Sequence, residues 1–158
     1  MGTDLSIEGL DYNLFSKYFS MSDTDLEAAG AYLFIAEKKS CYPCRVSLRD
    51  AEIGDTVLAI HYEHHPAHGP YKSGGPIFIR KDAITAKLGA NEIPKMLRSR
   101  LLSIRGYSAE ALMLEGDTVA GKEIETVLGK QFRNSAVEYI HIHNAGAGCF
   151  NCEVKKPK

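Results

Sequence analysis

The fold is decided by the stretch TVLAIHYEHHPAHGPYKSGGPIFIRK, residues 56–81. Its first part, 56–64, is rich in β-branched and aromatic residues and predicts a strand. The last part, 76–81, predicts a second and shorter strand. Between them, 65–75 carries three glycines and two prolines and predicts a loop. Since this link is too short for a parallel crossover, we expect the two strands to pair antiparallel.

The remaining elements follow from the same patterns. Strands are predicted at 31–38, 100–108, 111–120, 137–144 and 149–156, and helices at 10–20, 22–30, 82–97 and 121–132. Strands outnumber helices, and several of them are joined by short links. The sequence therefore predicts an α+β fold on a mainly antiparallel sheet with three to four helices. We expect one domain over 1–158, with 1–6 as a loose tail.

Composition and charge bound the function. The 158 residues carry a formal net charge of −1, which argues against non-specific binding to nucleic acid or to anionic membranes. No apolar run approaches the roughly 20 residues that a membrane helix needs. The start, MGTDLSIEGL, lacks a basic segment followed by an apolar one, so no secretory signal is expected. We predict a cytoplasmic protein with neither nucleic acid nor membrane as a partner.

The cysteines form two C-x-x-C pairs, one near each end of the chain. Cys41 and Cys44 lie in KSCYPCRVSL, and Cys149 and Cys152 lie in GCFNCEVK. A reducing cytoplasm favours a metal site or catalysis over structural disulfides. Two such turns supply the four thiolates of a structural zinc site if folding brings the turns together. Zinc is accordingly the one cofactor that the sequence suggests.

Two other interpretations of the cysteines stay open. The residues that follow the second cysteine of each pair are Arg45 and Glu153, where zinc knuckles often have glycine. The thiols would then be partly buried, small packing residues. A thioredoxin-like redox pair is the third interpretation, but no helix pattern follows Cys44 to lower the pKa of a thiol.

All six histidines fall in two segments, HYEHHPAH (61–68) and HIH (141–143). Strict alternation places His61 and His65 on one face of their strand and His64 on the other. In the later strand, His141 and His143 share a face. The strand at 100–108 carries Arg105 on its polar face, so neighbouring strands would gather imidazoles and a guanidinium on one side of the sheet.

Such a face has three interpretations. It is a small-molecule site if the histidines act as acid or base and an arginine holds an anionic substrate. It is a transition-metal site if His61, His65 and His141 converge. It is a plain solvated face if the sheet leaves this side wet. The loop at 65–75 would lie at the edge of the face and carries Tyr71.

Four segments, read together, resemble a known family. They are YPCRVSLRDAEIGDTVLAIHYEH, GPYKSGGPIFIR, LRSRLLSIRGY and VEYIHIHNAGAGCF. In this order and spacing the chain resembles the uncharacterised bacterial family Domain of Unknown Function 1203, from about Ile7 to Val154. The resemblance implies a small single-domain bacterial protein and assigns no reaction, cofactor or catalytic residue. Its typical pieces, P-C-R and H-x-x-N-x-x-x-G-C, correspond to Cys44 with Arg45 and to His141, Asn144, Gly148 and Cys149.

The sequence thus leaves one leading hypothesis and one alternative. The leading hypothesis is a ligand-binding or enzymatic domain with a Cys/Arg/His site for a small anionic molecule. Its candidate catalytic residues are Cys44, Arg45, His61, His141 and Cys149, and its candidate ligand-binding residues are Arg105, His64, Asn144 and Tyr71. The alternative is a zinc-stabilised protein-interaction domain whose metal ligands are Cys41, Cys44, Cys149 and Cys152. Whether the chain is an enzyme stays open.

Overall fold

The computed structural model describes residues 4–156, which form two antiparallel sheets and two α-helices. The strands are β1 (Ser6–Glu8), β2 (Tyr32–Ile35), β3 (Thr56–His65), β4 (Ser73–Arg80), β5 (Leu101–Tyr107), β6 (Met113–Ala120), β7 (Tyr139–Asn144) and β8 (Phe150–Lys155). The helices are α1 (Asp23–Ala28) and α2 (Ile124–Phe132), and short 3₁₀ helices cover Tyr12–Leu14, Ser16–Ser20, Lys95–Leu97 and Gly121–Glu123. Of the predicted tail, 1–3 lies outside the described residues, and β1 begins at Ser6.

The predicted α+β class with three to four helices is wrong, because residues 4–156 are predominantly antiparallel β with only two α-helices. The segment 82–97, predicted as mostly helical, is a loop with one 3₁₀ turn. Its main chain bonds to distant segments instead of to itself: Ala86 N donates to Val46 O, and Asn91 N donates to Leu5 O. The segment 10–20 forms two 3₁₀ turns, although its apolar spacing fits a helix.

The strands pair as the stretch 56–81 predicts. β3 and β4 are antiparallel, and β4 begins at Ser73, inside the predicted loop. With β2 they form a three-stranded sheet in the order β2-β3-β4, while the other strands form a five-stranded sheet in the order β1-β8-β7-β5-β6. α2 has nine residues, and no helix in the described part of the chain is long and apolar enough to cross a bilayer.

One face of the five-stranded sheet carries the larger hydrophobic core. Leu102 and Ile104 of β5 and Ile140 and Ile142 of β7 pack there with Leu128 of α2. The helix lies so close to β5 that a Cβ added to Gly106 would sit 2.7 Å from Gln131 Oε1. Gln131 is fully buried, and its Nε2 donates to the Ile104 carbonyl over 3.0 Å. The close approach of helix and sheet therefore depends on a residue without a side chain.

The opposite face of this sheet is covered by the end of β3, and a layer of rings fills the space between the two sheets. We call it the polar layer. Its members are His64, His65, Tyr107, Tyr139, His141, His143 and Phe150, whose ring centroids lie 4.3–6.3 Å from their neighbours'. The layer places the chemically active side chains of three strands in one buried zone.

Candidate functional site

A β-bulge in β3 brings two consecutive histidines into the polar layer. Between Tyr62 and His65, β3 advances three residues while β4 advances two. The extra residue breaks the alternation of side chains, so adjacent residues can face the same way. His64 stacks on Phe150 with ring centroids 5.1 Å apart, and the His65 ring lies 4.3 Å from that of Tyr107. The predicted placement of His64 and His65 on opposite faces is therefore wrong.

The two histidines of β7 enter the same layer from the other sheet. His141 is opposite Arg105 and His143 is opposite Ser103 in the β5–β7 ladder, which confirms that these strands are neighbours. Both histidines are buried, with 2% and 0% of their surface exposed. The interpretation as a solvated face is therefore wrong at these positions, because the three-stranded sheet covers them.

Three of the imidazoles converge. One ring nitrogen from each of His64, His141 and His143 lies within 4.8 Å of the others, and this is the only such group of His, Cys, Asp and Glu ligands within residues 4–156. We call these three residues the histidine cluster. The His64 ring meets the other two edge to face, with 4.8 Å between the centroids of His64 and His143.

Hydrogen bonds fix the ring orientation and the tautomer of two members of the cluster. His143 Nδ1 lies 2.8 Å from the Gly148 carbonyl oxygen, and His141 Nε2 lies 3.3 Å from Glu153 Oε1. A carbonyl and an ionised carboxylate only accept, so each of these nitrogens must carry the proton. The other nitrogens, His143 Nε2 and His141 Nδ1, are then bare acceptors. Both are buried, and neither has a hydrogen-bond partner.

The cluster is neutral at physiological pH. Burial is the main cause that lowers the pKa of His143 to about 3 and that of His64 to about 4, and the nearby charge of Arg105 contributes to both shifts. Burial also lowers the pKa of His141, although the bond to Glu153 partly opposes this. Neutral imidazole is the form that binds metal ions. Three neutral imidazoles thus surround one point.

The other histidines do not join the cluster. His65 has both ring nitrogens engaged, Nδ1 with the Tyr71 carbonyl over 2.8 Å and Nε2 with the Tyr139 hydroxyl over 2.6 Å. His61 and His68 are exposed. The set His61, His65 and His141 therefore does not converge as a metal site, and the structure gathers a different set.

A small cavity of about 260 Å³ opens beside the cluster, between β1, β3 and β8. Its wall includes Arg45, Tyr62, His64, His141, Asn151 and Glu153. Two cluster members and one guanidinium therefore face the same space. A second bulge shapes this wall, because β8 has one residue more than β7 between the pairs Ile142–Cys152 and His143–Phe150, and that residue is Asn151.

Arg45 joins the two ends of the chain. Its Nε donates to the Phe150 carbonyl over 2.7 Å, and Nη1 donates to the Pro43 carbonyl. The side chain is 1% exposed, and burial lowers its pKa to about 10, opposed by the nearby thiols of Cys149 and Cys44. The two cysteine turns thus lie on either side of one guanidinium.

The four cysteines have different surroundings. Cys41 is exposed, Cys149 is half-buried, and Cys44 and Cys152 are buried. Cys44 Sγ accepts from the amides of Ser47 and Arg80, at 3.4 and 3.3 Å. Burial raises the pKa of Cys152 to about 12, so its thiol stays protonated. Across residues 4–156 the four sulfurs do not gather within ligand distance of one another, and the four-cysteine zinc site stays a prediction.

The remaining candidate residues lie around the polar layer. Arg105 Nε donates to Ser103 Oγ over 3.2 Å, and no acidic side chain in the described range pairs with Arg105. Asn144 Oδ1 accepts from Asn151 Nδ2 over 2.8 Å. Tyr71 is exposed and contributes its carbonyl to His65. These residues therefore lie next to the polar layer and contact its members or their neighbours.

The candidate catalytic and ligand-binding residues predicted from the sequence leave out three residues that shape the site: His143, Asn151 and Glu153. The H-x-H pattern was the available signal for His143, because alternation in β7 puts it beside His141. Glu153 lies opposite His141 in the β7–β8 ladder, which no local pattern reveals. Asn151 owes its position to the bulge in β8.

One comparison with known proteins gives a match. The model of a family described as "Protein of unknown function (DUF1203)" matches residues 41–156. The chain belongs to the DUF1203 family. The match confirms the resemblance found in the sequence, and the DUF1203 region contains the histidine cluster, Arg45 and all four cysteines. No curated protein and no solved structure gives a significant match.

Proposed function

We propose that this protein binds one divalent transition-metal ion on the histidine cluster and uses the ion to bind and activate a small anionic molecule. The observation that carries the proposal is the pair of buried nitrogens without partners, His141 Nδ1 and His143 Nε2. Both residues belong to the histidine cluster, in which one ring nitrogen of each member lies within 4.8 Å of the others. A single ion between them would satisfy all three.

The surroundings of the cluster support metal binding. A histidine that binds a metal almost always donates its other ring N–H to a carboxylate or a carbonyl, which fixes the ring and raises its basicity. His141 has Glu153 in this position and His143 has the Gly148 carbonyl. His64 Nε2 lies 3.1 Å from Ser73 Oγ, so one ring nitrogen of each of the three histidines has a hydrogen-bond partner that fixes the ring.

Core packing alone explains the arrangement poorly. A buried acceptor without a partner costs about 1–3 kcal/mol, and the cluster contains two. Direct anion binding does not relieve this cost, because the bare nitrogens repel negative charge while the imidazoles are neutral. A cation removes both penalties with one contact to each nitrogen.

The ligand set suggests the class of ion and its chemistry. Three neutral imidazoles suit zinc, nickel, cobalt, copper or iron, and exclude magnesium and calcium, which prefer oxygen ligands. Three protein ligands with an open fourth position are typical of catalytic sites, where the ion acidifies a bound water molecule or polarises a bound oxygen. The half-buried Arg105 beside the cluster favours an anionic ligand at the open position.

A cobalt titration tests this proposal. Chelator-treated protein without a histidine tag should bind one Co²⁺ per chain, with a spectrum that lacks thiolate-to-cobalt charge transfer. His143→Ala should weaken binding by about 100-fold or more, since even the loss of a supporting residue costs 10–100-fold. His68→Ala is the matched control, because His68 is exposed and outside the cluster, and Cys41→Ser tests for thiol ligands. Binding that survives His143→Ala but not Cys41→Ser would overturn the proposal.

A further inference from the structure

Arg45 is a buried cation with no carboxylate partner in the described part of the chain. Its two recorded side-chain hydrogen bonds go to main-chain carbonyls, and no carboxylate lies within ion-pair distance among residues 4–156. The nearby thiol of Cys152 is protonated and supplies no negative charge. A buried, uncompensated charge is costly, and an anionic ligand beside Arg45 would compensate it.

Arg45 lines the cavity beside the histidine cluster. Arginine suits this position because its planar fork binds a carboxylate or another oxyanion through two parallel N–H groups. His64 and His141 lie on the wall of the same cavity. A ligand held by Arg45 would therefore lie within the space beside the proposed metal ion.

A second unsatisfied group lies on this wall. Asn151 is 1% exposed, its Nδ2 donates to Asn144 Oδ1, and its own Oδ1 is buried without a partner. An amide oxygen accepts hydrogen bonds and does not donate them. A donor group on a ligand in the adjoining cavity, such as a hydroxyl or an ammonium group, would satisfy it.

We infer that Arg45 and Asn151 form the recognition site for a small carboxylate that carries an adjacent hydroxyl or amino group. Arg45 binds the carboxylate, and Asn151 Oδ1 accepts from the donor group. The cavity of about 260 Å³ lies just below the roughly 300–1,000 Å³ of drug-sized pockets, so the ligand has only a few non-hydrogen atoms. This inference rests on the proposed function, since it names the ligand that the metal ion would activate.

The acidic residues at the cavity agree with a ligand that also carries a donor. Glu8 and Asp11 lie at the exposed mouth, and Glu153 is half-buried beside His141. Lys155 Nζ lies 3.8 Å from Glu153 Oε2, and its positive charge partly offsets that of the carboxylate. A bare anion would meet repulsion at the mouth, whereas an α-hydroxy or α-amino acid presents donors to these carboxylates.

Four probes test the inference on the wild-type protein. Glycolate and glycine carry both groups, acetate lacks the donor, and ethylene glycol lacks the charge. Calorimetric titration should show glycolate or glycine binding at least about tenfold more tightly than acetate, the equivalent of one good hydrogen bond, and no binding of ethylene glycol. Which of the two binds better distinguishes a hydroxyl from an ammonium donor. Equal affinity for acetate and for both complete probes, or no binding of either, would overturn the inference.

Variants assign the contacts. Arg45→Met should abolish binding of the preferred probe, Arg45→Lys should weaken it about tenfold or more because the fork is lost, and Asn151→Ala should remove the preference over acetate. Lys38→Met is the control and should leave binding within about twofold, because Lys38 is exposed and lies outside the cavity. Circular dichroism checks folding; should Arg45→Met fail to fold, the Asn151→Ala result and the wild-type probe series decide. Unchanged binding in folded Arg45→Met would overturn the inference.

The metal content of each sample separates this inference from the proposed function. A wild-type protein that binds glycolate through Arg45 but takes up no Co²⁺ would leave the recognition site standing and refute the metal centre. A protein that binds Co²⁺ on the histidine cluster but does not discriminate among the four probes would support the metal centre and refute the recognition site.

Discussion

His141 and Glu153 lie opposite each other in the β7–β8 ladder, and their side chains meet with 3.3 Å between Nε2 and Oε1. The contact fixes the orientation of the imidazole and leaves Nδ1 as the ring nitrogen without a partner. A carboxylate also increases the basicity of the ring more than a neutral acceptor does. The pair therefore sets both the direction and the strength of one proposed metal ligand.

This pair gives the first prediction. Glu153→Gln keeps the size of the side chain but removes its charge, so the affinity for Co²⁺ should fall about tenfold. Competition against a chromophoric chelator measures the change. Glu63→Gln is the control, because Glu63 pairs with Lys72 on the exposed surface. Equal affinities in the two variants would show that the contact between His141 and Glu153 does not tune a ligand.

The metal-free protein should lose stability as the pH falls from 7 to 5. His143 has a pKa of about 3 when folded and about 6.5 when unfolded. The unfolded chain therefore binds more protons in this window, and the stability present above pH 6.5 is lost toward pH 3. His143 alone should lower the free energy of unfolding by about 2 kcal/mol between pH 7 and pH 5. Half-buried His64 should add less, because solvent screens it.

Urea unfolding at several pH values measures this loss. The window from 7 to 5 lies above the range in which carboxylates titrate, so histidines dominate the slope. His143→Gln should have a shallower dependence on pH, while His68→Gln should match the wild type. A free energy of unfolding that is flat between pH 7 and pH 5 would mean that the cluster is not held neutral by burial.

A pair of glycine variants tests the packing behind the site. Gly106→Ala should destabilise the fold by about 1–3 kcal/mol, since the new methyl group would meet Gln131 Oε1 at 2.7 Å and Val137 Cγ1 at 3.2 Å. Gly129→Ala, in α2, should stabilise it by about 0.5–1 kcal/mol, because nothing lies within 4 Å. Thermal and urea unfolding compare the two, and effects of the same sign would contradict the packing described.

Arg100 and Arg98 allow a buried ion pair to be compared with a surface ion pair in its effect on stability. Arg100 joins Asp50 over 2.6 Å, its side chain is 15% exposed, and it also donates to the Ser40 and Met96 carbonyls. These contacts fasten the loop of the first cysteine pair to β5. Arg100→Met should therefore cost about 3 kcal/mol. Arg98→Met should cost only about 0.5 kcal/mol, because its pair with Glu125 is more exposed.

A double-mutant cycle, in which each arginine and its acidic partner are replaced singly and together, measures the interaction energy of each pair by urea unfolding. A small coupling for Arg100 with Asp50, no larger than that for Arg98 with Glu125, would show that the loop is fastened by other contacts.

The sequence predicted the strands well because period-two patterns and short links are local. The antiparallel pair of β5 and β6, joined by a turn near Ser108, follows from residues close in the chain. The helix predicted at 82–97 failed because its amides bond to Val46 and Leu5, far away in the sequence. No propensity within the segment contains that information.

The site was predictable only in part, for a related reason. Period-two alternation placed His141 beside Arg105 correctly. It could not assign His64 or Asn151, because each lies at a bulge where alternation fails. Burial was also misjudged, since a polar face is covered here by a second sheet. Bulges and sheet-on-sheet contacts come from tertiary structure, so local patterns do not show them.

X-ray absorption spectroscopy of the zinc-loaded protein tests the central claim most directly. Three histidine nitrogens should appear at about 2.0–2.1 Å, with the outer-shell scattering of imidazole rings. Loss of that scattering in His143→Ala, but not in His68→Ala, would assign it to the cluster. A first shell of sulfur at about 2.3 Å would contradict the account, because it would place the ion on the cysteines and leave the buried nitrogens of His141 and His143 unexplained.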